Sequence, residues 1–165
     1  MHVYKPFLLG AAARGLAGLP MEVIMTAGEN RDAEALQLGP LASNVRLEPW
    51  IPHTELFQHT DVVITTGGAG TILTALAAGI PLLIVPTEWD KADNAQRVVE
   101  AGAAIRISPR RCSPQGLREA VQRLLSDQSY RDNAQQLARI LKGLNGPCKA
   151  AELIEGTFPQ LVRQY

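Results

Sequence analysis

Cysteine is nearly absent: Cys112 and Cys148 are the only two in 165 residues. Two thiols so far apart make neither a disulfide framework nor a thiolate metal cluster, and a reducing cytoplasm fits them best. No metal is expected. A surplus of one charge is also lacking, since sixteen Lys+Arg balance sixteen Asp+Glu. A neutral chain without a basic block argues against nucleic acid or an anionic membrane surface as partner. No apolar run is long enough to span a bilayer. The stretch 6–13 after Lys5 has the look of a short signal peptide. Arg14 cuts it, however, and the apolar pattern continues at helical spacing through Leu8, Ala11, Ala12, Gly15, Leu16 and Leu19. Aromatics are scarce at 5%, whereas 14 glycines and 11 prolines suit many short loops between packed elements. With 46% hydrophobic and 19% charged residues, the chain has material for a real core and is no disordered tail. Its length allows one compact domain, 1–165.

Strand-like runs bounded by glycine and proline cover 21–26, 44–48, 61–65, 81–85 and 104–107. Their apolar continuity is what a parallel sheet covered on both faces requires. Helical patterns lie between them. Over 70–78, Ile72, Leu73, Leu76 and Ala77 share a stripe and Gly79 provides the stop. Over 90–101, Ala92, Ala95, Val98 and Val99 do the same before Gly102. Ser113-Pro114 opens the next helix, serine as N-cap and proline at the first helical position. Two more helices are expected near 127–141 and 147–158, and residues 30–44 read as an irregular connection with room for one short helix. The alternation predicts an α/β fold: a Rossmann-like, doubly wound parallel sheet over 1–108 with a helical C-terminal tail over 109–165. The first strand looks truncated, with room only for a stub at His2-Val3-Tyr4.

The most informative segment runs from Asp61-Val62-Val63-Ile64-Thr65 into Thr66-Gly67-Gly68-Ala69-Gly70-Thr71. A buried strand that meets glycines and then a helix presents unpaired N–H groups and a partial positive charge to an anion, and glycine lets a phosphate approach the backbone. A tight turn with glycines serving packing alone is the other reading. A dinucleotide fingerprint fails at Leu73, which holds the third glycine position, although Asp90 lies about twenty residues on. A Walker lysine and a Gly-x-Ser-x-Gly elbow are both absent. Trp50-Ile51-Pro52-His53 follows a strand, so the tryptophan is either a stacking platform for a base or a core or lid residue. Thr87-Glu88-Trp89-Asp90-Lys91 follows the strand ending at Val85-Pro86, where a carboxylate is placed to accept hydrogen bonds from sugar hydroxyls. Asp90 could equally cap the helix that follows.

Taken together, Trp50-x-Pro52, His59, Gly67-Gly68-x-Gly70-Thr71, Gly79-x-Pro81, Pro86, Asp90 and Asn94 resemble the donor-site signature of UDP-sugar-dependent glycosyltransferases of the GT-B fold. The likeness runs from about Leu16 to Glu155 and covers only the C-terminal, nucleotide-sugar half of such an enzyme. It implies that Trp50 stacks on uracil or thymine while the Ile51 backbone reads the base edge. Gly67, Gly68, Ala69, Gly70 and Thr71 would cradle the diphosphate. Trp89, Asp90 and Lys91 would meet the sugar. The chain departs from the pattern at Thr66, where the family usually has histidine on the diphosphate, and at Thr74, where glutamate often holds the ribose. Lys91 and His53 each replace a glutamine.

The resemblance implies the donor-binding domain of an inverting glycosyltransferase that moves a hexose from a UDP- or dTDP-sugar to a small hydroxylated acceptor, with no cofactor. A non-catalytic nucleotide-sugar-binding module or degenerate remnant is the alternative, and a related GT-B-fold enzyme such as a nucleotide-sugar epimerase is a third reading. In this family the general base belongs to the N-terminal acceptor domain, and none of His2, His53 and His59 matches it. The expected partners are therefore the nucleotide sugar and a missing acceptor domain or separate acceptor subunit. A homo-oligomer through the exposed sheet is a further expectation, because a shortened central strand leaves backbone unpaired.

Overall fold

The computed structural model describes residues 7–28 and 36–157. Five short strands are all parallel in their pairings. They are β1 (Val23–Thr26), β2 (Val45–Glu48), β3 (Val63–Thr65), β4 (Leu82–Ile84) and β5 (Ala104–Arg106). Seven α-helices accompany them among the described residues: α1 (Phe7–Gly15), α2 (His53–Leu56), α3 (Ala69–Ala77), α4 (Lys91–Glu100), α5 (Pro114–Ser126), α6 (Gln128–Leu144) and α7 (Gly146–Thr157).

β4 lies between β3 and β5, and Leu82, Leu83 and Ile84 are completely buried. A strand covered on both faces has no polar side to alternate with, hence the unbroken apolar run. Its side chains feed two separate clusters. Leu82 and Ile84 join Ile72 and Leu76 of α3 and Ala95 and Val98 of α4. Leu83 and Val85 join Leu8 and Leu16 from α1 and its end, and Leu117, Val121 and Leu124 of α5. Helices thus cover both faces, as a doubly wound sheet requires.

α5 begins as its sequence dictates, with Ser113 Oγ accepting from the Gly116 N–H at 3.1 Å. Against α5, the C-terminal end of α1 comes very close. A Cβ built on Gly15 would stand 2.3 Å from the Pro114 carbonyl oxygen, and Arg118 donates to the Gly15 and Ala17 carbonyls at 2.7 and 3.2 Å. On α6, the guanidinium of Arg131 meets the Asp61 carboxylate at 2.6 Å, and Asn133 donates to the Gly102 carbonyl at 3.1 Å.

Several expectations shift. α1 stops at Gly15, well short of Leu19, because a turn follows that is held by Asn44, whose amide donates to the Leu16, Leu19 and Met21 carbonyls. α6 reaches Leu144, where Asn145 takes the left-handed conformation that ends a helix. A 3₁₀ turn at Pro109–Arg111 has no counterpart in the periodicity. Of the 30–44 connection, residues 36–44 contain turns and no helix. The stub His2-Val3-Tyr4, residues 29–35 and Phe158 lie outside the described residues. Among the described residues, β1 and β2 form one pair and β3, β4 and β5 another set, with no ladder between them.

Gly15→Ala should test the α1–α5 contact. Its methyl group would meet backbone rather than a side chain that can move, so a loss of about 1–3 kcal/mol is expected, read as a lower denaturant midpoint.

Candidate functional site

Parallel strands bring all their carboxyl ends to one edge of the sheet, and in open α/β folds ligands bind outside that edge where the strand order reverses. Trp50 follows β2, residues 66–71 follow β3, and residues 87–91 follow β4. The turns after β3 and β4 therefore share an edge because those strands are parallel neighbours, while Trp50 lies at the carboxyl end of the β1–β2 pair.

The turn after β3 is closed by local bonds. Gly67 has φ +95° and sends its N–H to Thr65 Oγ1 at 3.2 Å. A Cβ there would press on the Lys91 backbone oxygen and on Ile84, at 3.1 and 3.2 Å, so glycine is needed for both conformation and space. Gly68 and Gly70 differ. A Cβ at either would meet nothing within 4 Å. Packing does not account for them, and the open volume lies at the head of α3. That helix has no side-chain cap and no acidic residue in its first turn. Its first N–H groups therefore point into open space with the positive end of the helix dipole behind them, which suits an anion. Thr66 and Thr71 line the cleft beside this turn, as do Thr87 and Lys91.

The loop after β4 is coupled to the first. Asp90 stands at the N-cap position of α4, yet its side chain caps nothing. Instead its carboxylate accepts from Asn94 Nδ2 at 2.9 Å, and the same amide donates to the Gly67 carbonyl at 3.3 Å. One side chain thus ties the sugar-side carboxylate expected from sequence to the glycine turn. Lys91 Nζ donates to Thr87 Oγ1 at 3.1 Å. The roles of Asn94 and Thr87 were not read from the sequence, although the i, i+4 spacings 87/91 and 90/94 on one helix start were visible signals.

The tryptophans resolve differently from a core reading. Trp50 is 66% exposed and Trp89 84% exposed, and Trp89 takes φ +60°, unusual for a bulky residue. Neither contributes to the core, so both rings are offered at the carboxyl edge. Ile51 is half-buried beside Trp50. Thr74 is engaged within its own helix, donating to the Gly70 carbonyl at 2.8 Å. His53 stacks on Phe57 with centroids 4.9 Å apart, and His59 is exposed in the 3₁₀ turn that follows α2. Among the described residues, no three His, Cys, Asp or Glu gather as a metal site would need. Burial pushes the Cys112 thiol up from its ordinary value, and Cys112 and Cys148 are both free.

Replacing Asn94 should separate a tie from a bystander. Asn94→Ala removes both bonds and should cost about 1 kcal/mol in chemical denaturation. Asn94→Asp should cost more, because a second carboxylate would face Asp90 and the Gly67 carbonyl.

Residues 12–155 match the model of the erythromycin biosynthesis protein CIII-like C-terminal domain. The chain is 36% identical over 149 residues to 4'-demethylrebeccamycin synthase of Lentzea aerocolonigenes, an alignment covering 90% of this chain and 34% of that protein. Among solved structures it resembles the calicheamicin glycosyltransferase CalG4, with a TM-score of 0.85, 33% identity, and coverage of 98% of this chain and 42% of that one. It also resembles the glycosyltransferase VinC, solved in complex with dTDP, with a TM-score of 0.75, 28% identity, and coverage of 82% and 34%. The chain spans about a third of the length of that curated relative. On these grounds the chain belongs to the erythromycin biosynthesis protein CIII-like C-terminal domain family, the C-terminal domain of GT-B glycosyltransferases.

Proposed function

We propose that this chain binds the donor in an inverting transfer of a hexose from a UDP- or dTDP-sugar to a hydroxyl of a small acceptor. The observation that carries this reading is the open space at Gly68 and Gly70 before the uncapped head of α3. A diphosphate there would accept hydrogen bonds from the backbone N–H groups of Ala69, Gly70 and Thr71, with the Thr66 and Thr71 hydroxyls beside it. The exposed Trp50 ring would take the base by stacking, the Ile51 backbone its edge, and Thr74 the neighbourhood of the ribose. Trp89, Asp90 and Lys91 would face the sugar. That VinC holds dTDP supports a thymine or uracil base.

In the reaction the acceptor oxygen bonds to the anomeric carbon while the bond from that carbon to the diphosphate oxygen breaks. The electron pair moves onto the phosphate. Fixed N–H dipoles already aimed at that oxygen lower the barrier without reorganising. The proton released by the acceptor needs a base, and the histidines seen here are a ring stacked on Phe57 and an exposed residue on a 3₁₀ turn. The base would come from an acceptor half, either an N-terminal domain or a separate subunit. No metal or cofactor enters this scheme, and the cytoplasm is the proposed compartment. Among the described residues no helix is long and apolar enough to cross a membrane. Binding without transfer is a second reading, favoured by the uncharged Thr66 and by the engagement of the Thr74 hydroxyl within α3.

Calorimetric titration with UDP, dTDP and their sugars tests the assignment. Trp50→Ala should weaken every ligand by about 1–3 kcal/mol. Gly70→Val should abolish diphosphate binding while the fold persists, since its side chain would enter open space. Unchanged affinity in both variants would remove the site from this edge.

Asp90→Ala should weaken the nucleotide sugar by roughly 1.5–3 kcal/mol, a charge-assisted hydrogen bond, and leave the bare nucleotide diphosphate nearly unaffected. Equal losses would assign Asp90 to the Asn94 tie alone. Sugar transfer on adding an acceptor half would separate the catalytic reading from binding without transfer.

A further inference from the structure

Among the described residues that line the cleft beside the glycine turn, Lys91 is the only lysine or arginine. Its stem starts at the turn itself. A Cβ on Gly67 would stand 3.1 Å from the Lys91 backbone oxygen and 3.2 Å from the Lys91 Cβ. Thr66 and Thr71 of the same turn line this cleft, and so does Thr87.

The ammonium is held in place without being neutralised. Nζ donates to Thr87 Oγ1 at 3.1 Å, and since an ammonium carries three donors, two are left over. Ion pairs among the described residues join Arg46 to Glu22 and Glu48, and Arg131 to Asp61; none reaches Lys91. The carboxylate next to it in sequence, Asp90, is engaged by Asn94 Nδ2 at 2.9 Å. Lys91 is also half-buried rather than extended into solvent. A cation tethered to a neutral hydroxyl in a cleft keeps its full charge for an anion that enters.

The neighbours of Lys91 indicate which part of a nucleotide sugar that anion is. With Trp89 and Asp90 on the sugar, the phosphate nearest Lys91 is the one bonded to that sugar, the β-phosphate. This phosphate also receives the electron pair when the bond to the anomeric carbon breaks. A positive charge fixed beside it therefore acts more strongly on the departing diphosphate than on the intact donor. The glycine turn by itself offers only N–H dipoles and the uncharged hydroxyls of Thr66 and Thr71. Resting on the donor reading above, we infer that Lys91, positioned by Thr87, is the charged partner of the donor's β-phosphate. Lys91 then meets the sugar through its phosphate, and Asp90 meets it through its hydroxyls.

The full chain, titrated calorimetrically with UDP, dTDP, UDP-glucose and dTDP-glucose, tests this. Lys91→Gln keeps a polar side chain and removes the charge. It should weaken whichever diphosphate binds by at least about tenfold, the size of one charge-assisted hydrogen bond, and weaken its sugar form as much. Lys91→Arg should stay within about threefold of the unmodified chain. Thr87→Val, which removes the tether and leaves the charge, should fall between the two. Phosphorus NMR of the saturated diphosphate complex should show the β-phosphorus resonance displaced by Lys91→Gln and the α-phosphorus resonance unmoved. If neither diphosphate binds the unmodified chain, the donor reading fails and this inference fails with it. If a diphosphate binds and Lys91→Gln leaves its affinity unchanged, the donor reading stands and the inference alone is overturned. A loss confined to the sugar forms would assign Lys91 to sugar hydroxyls, and displacement of the α-phosphorus resonance alone would assign it to the other phosphate. Either of these also overturns the inference.

Discussion

The buried pairing of β4 is the interaction on which the rest depends. Its backbone is bonded to β3 on one side and β5 on the other, and its side chains alternate between two helical layers. Each fully buried Leu or Ile of this strand is worth about 1.5–3 kcal/mol relative to an exposed one. More consequential is the register. Because Thr65 pairs with Ile84, the turns that follow β3 and β4 leave the sheet side by side, and the glycine turn, Asp90 and Asn94 are built on that adjacency.

From that adjacency follows a division of labour among the glycines. Gly67 is wedged between Ile84 and Lys91 at positive φ and determines how closely the two loops approach. Gly68 and Gly70 face open space and leave the head of α3 bare. Asn94 joins the loops by bonding Asp90 and Gly67 at once. The Asp90 carboxylate and the N–H array at the head of α3 are therefore tied together. That suits a ligand whose two ends are joined through a single oxygen.

Local sequence determined the elements themselves. Apolar runs between glycine and proline marked all five strands, Ser113-Pro114 marked the start of α5, and the strand–glycine–helix order after Asp61 marked the turn proposed to meet an anion. These signals are legible because each depends on neighbours in the chain: periodicity, capping and positive φ. The spacing of Trp50, Gly68, Asp90 and Asn94 carried the family as well. What only the tertiary structure decided involves partners far apart in sequence. That Gly67 is wedged and Gly70 is free, that Asp90 bonds Asn94 rather than capping α4, and that both tryptophans are exposed all depend on which surfaces meet. Two glycines of one motif look alike in sequence because a glycine has no side chain to show what surrounds it; only the packed neighbours, 24 residues away at Lys91, tell them apart.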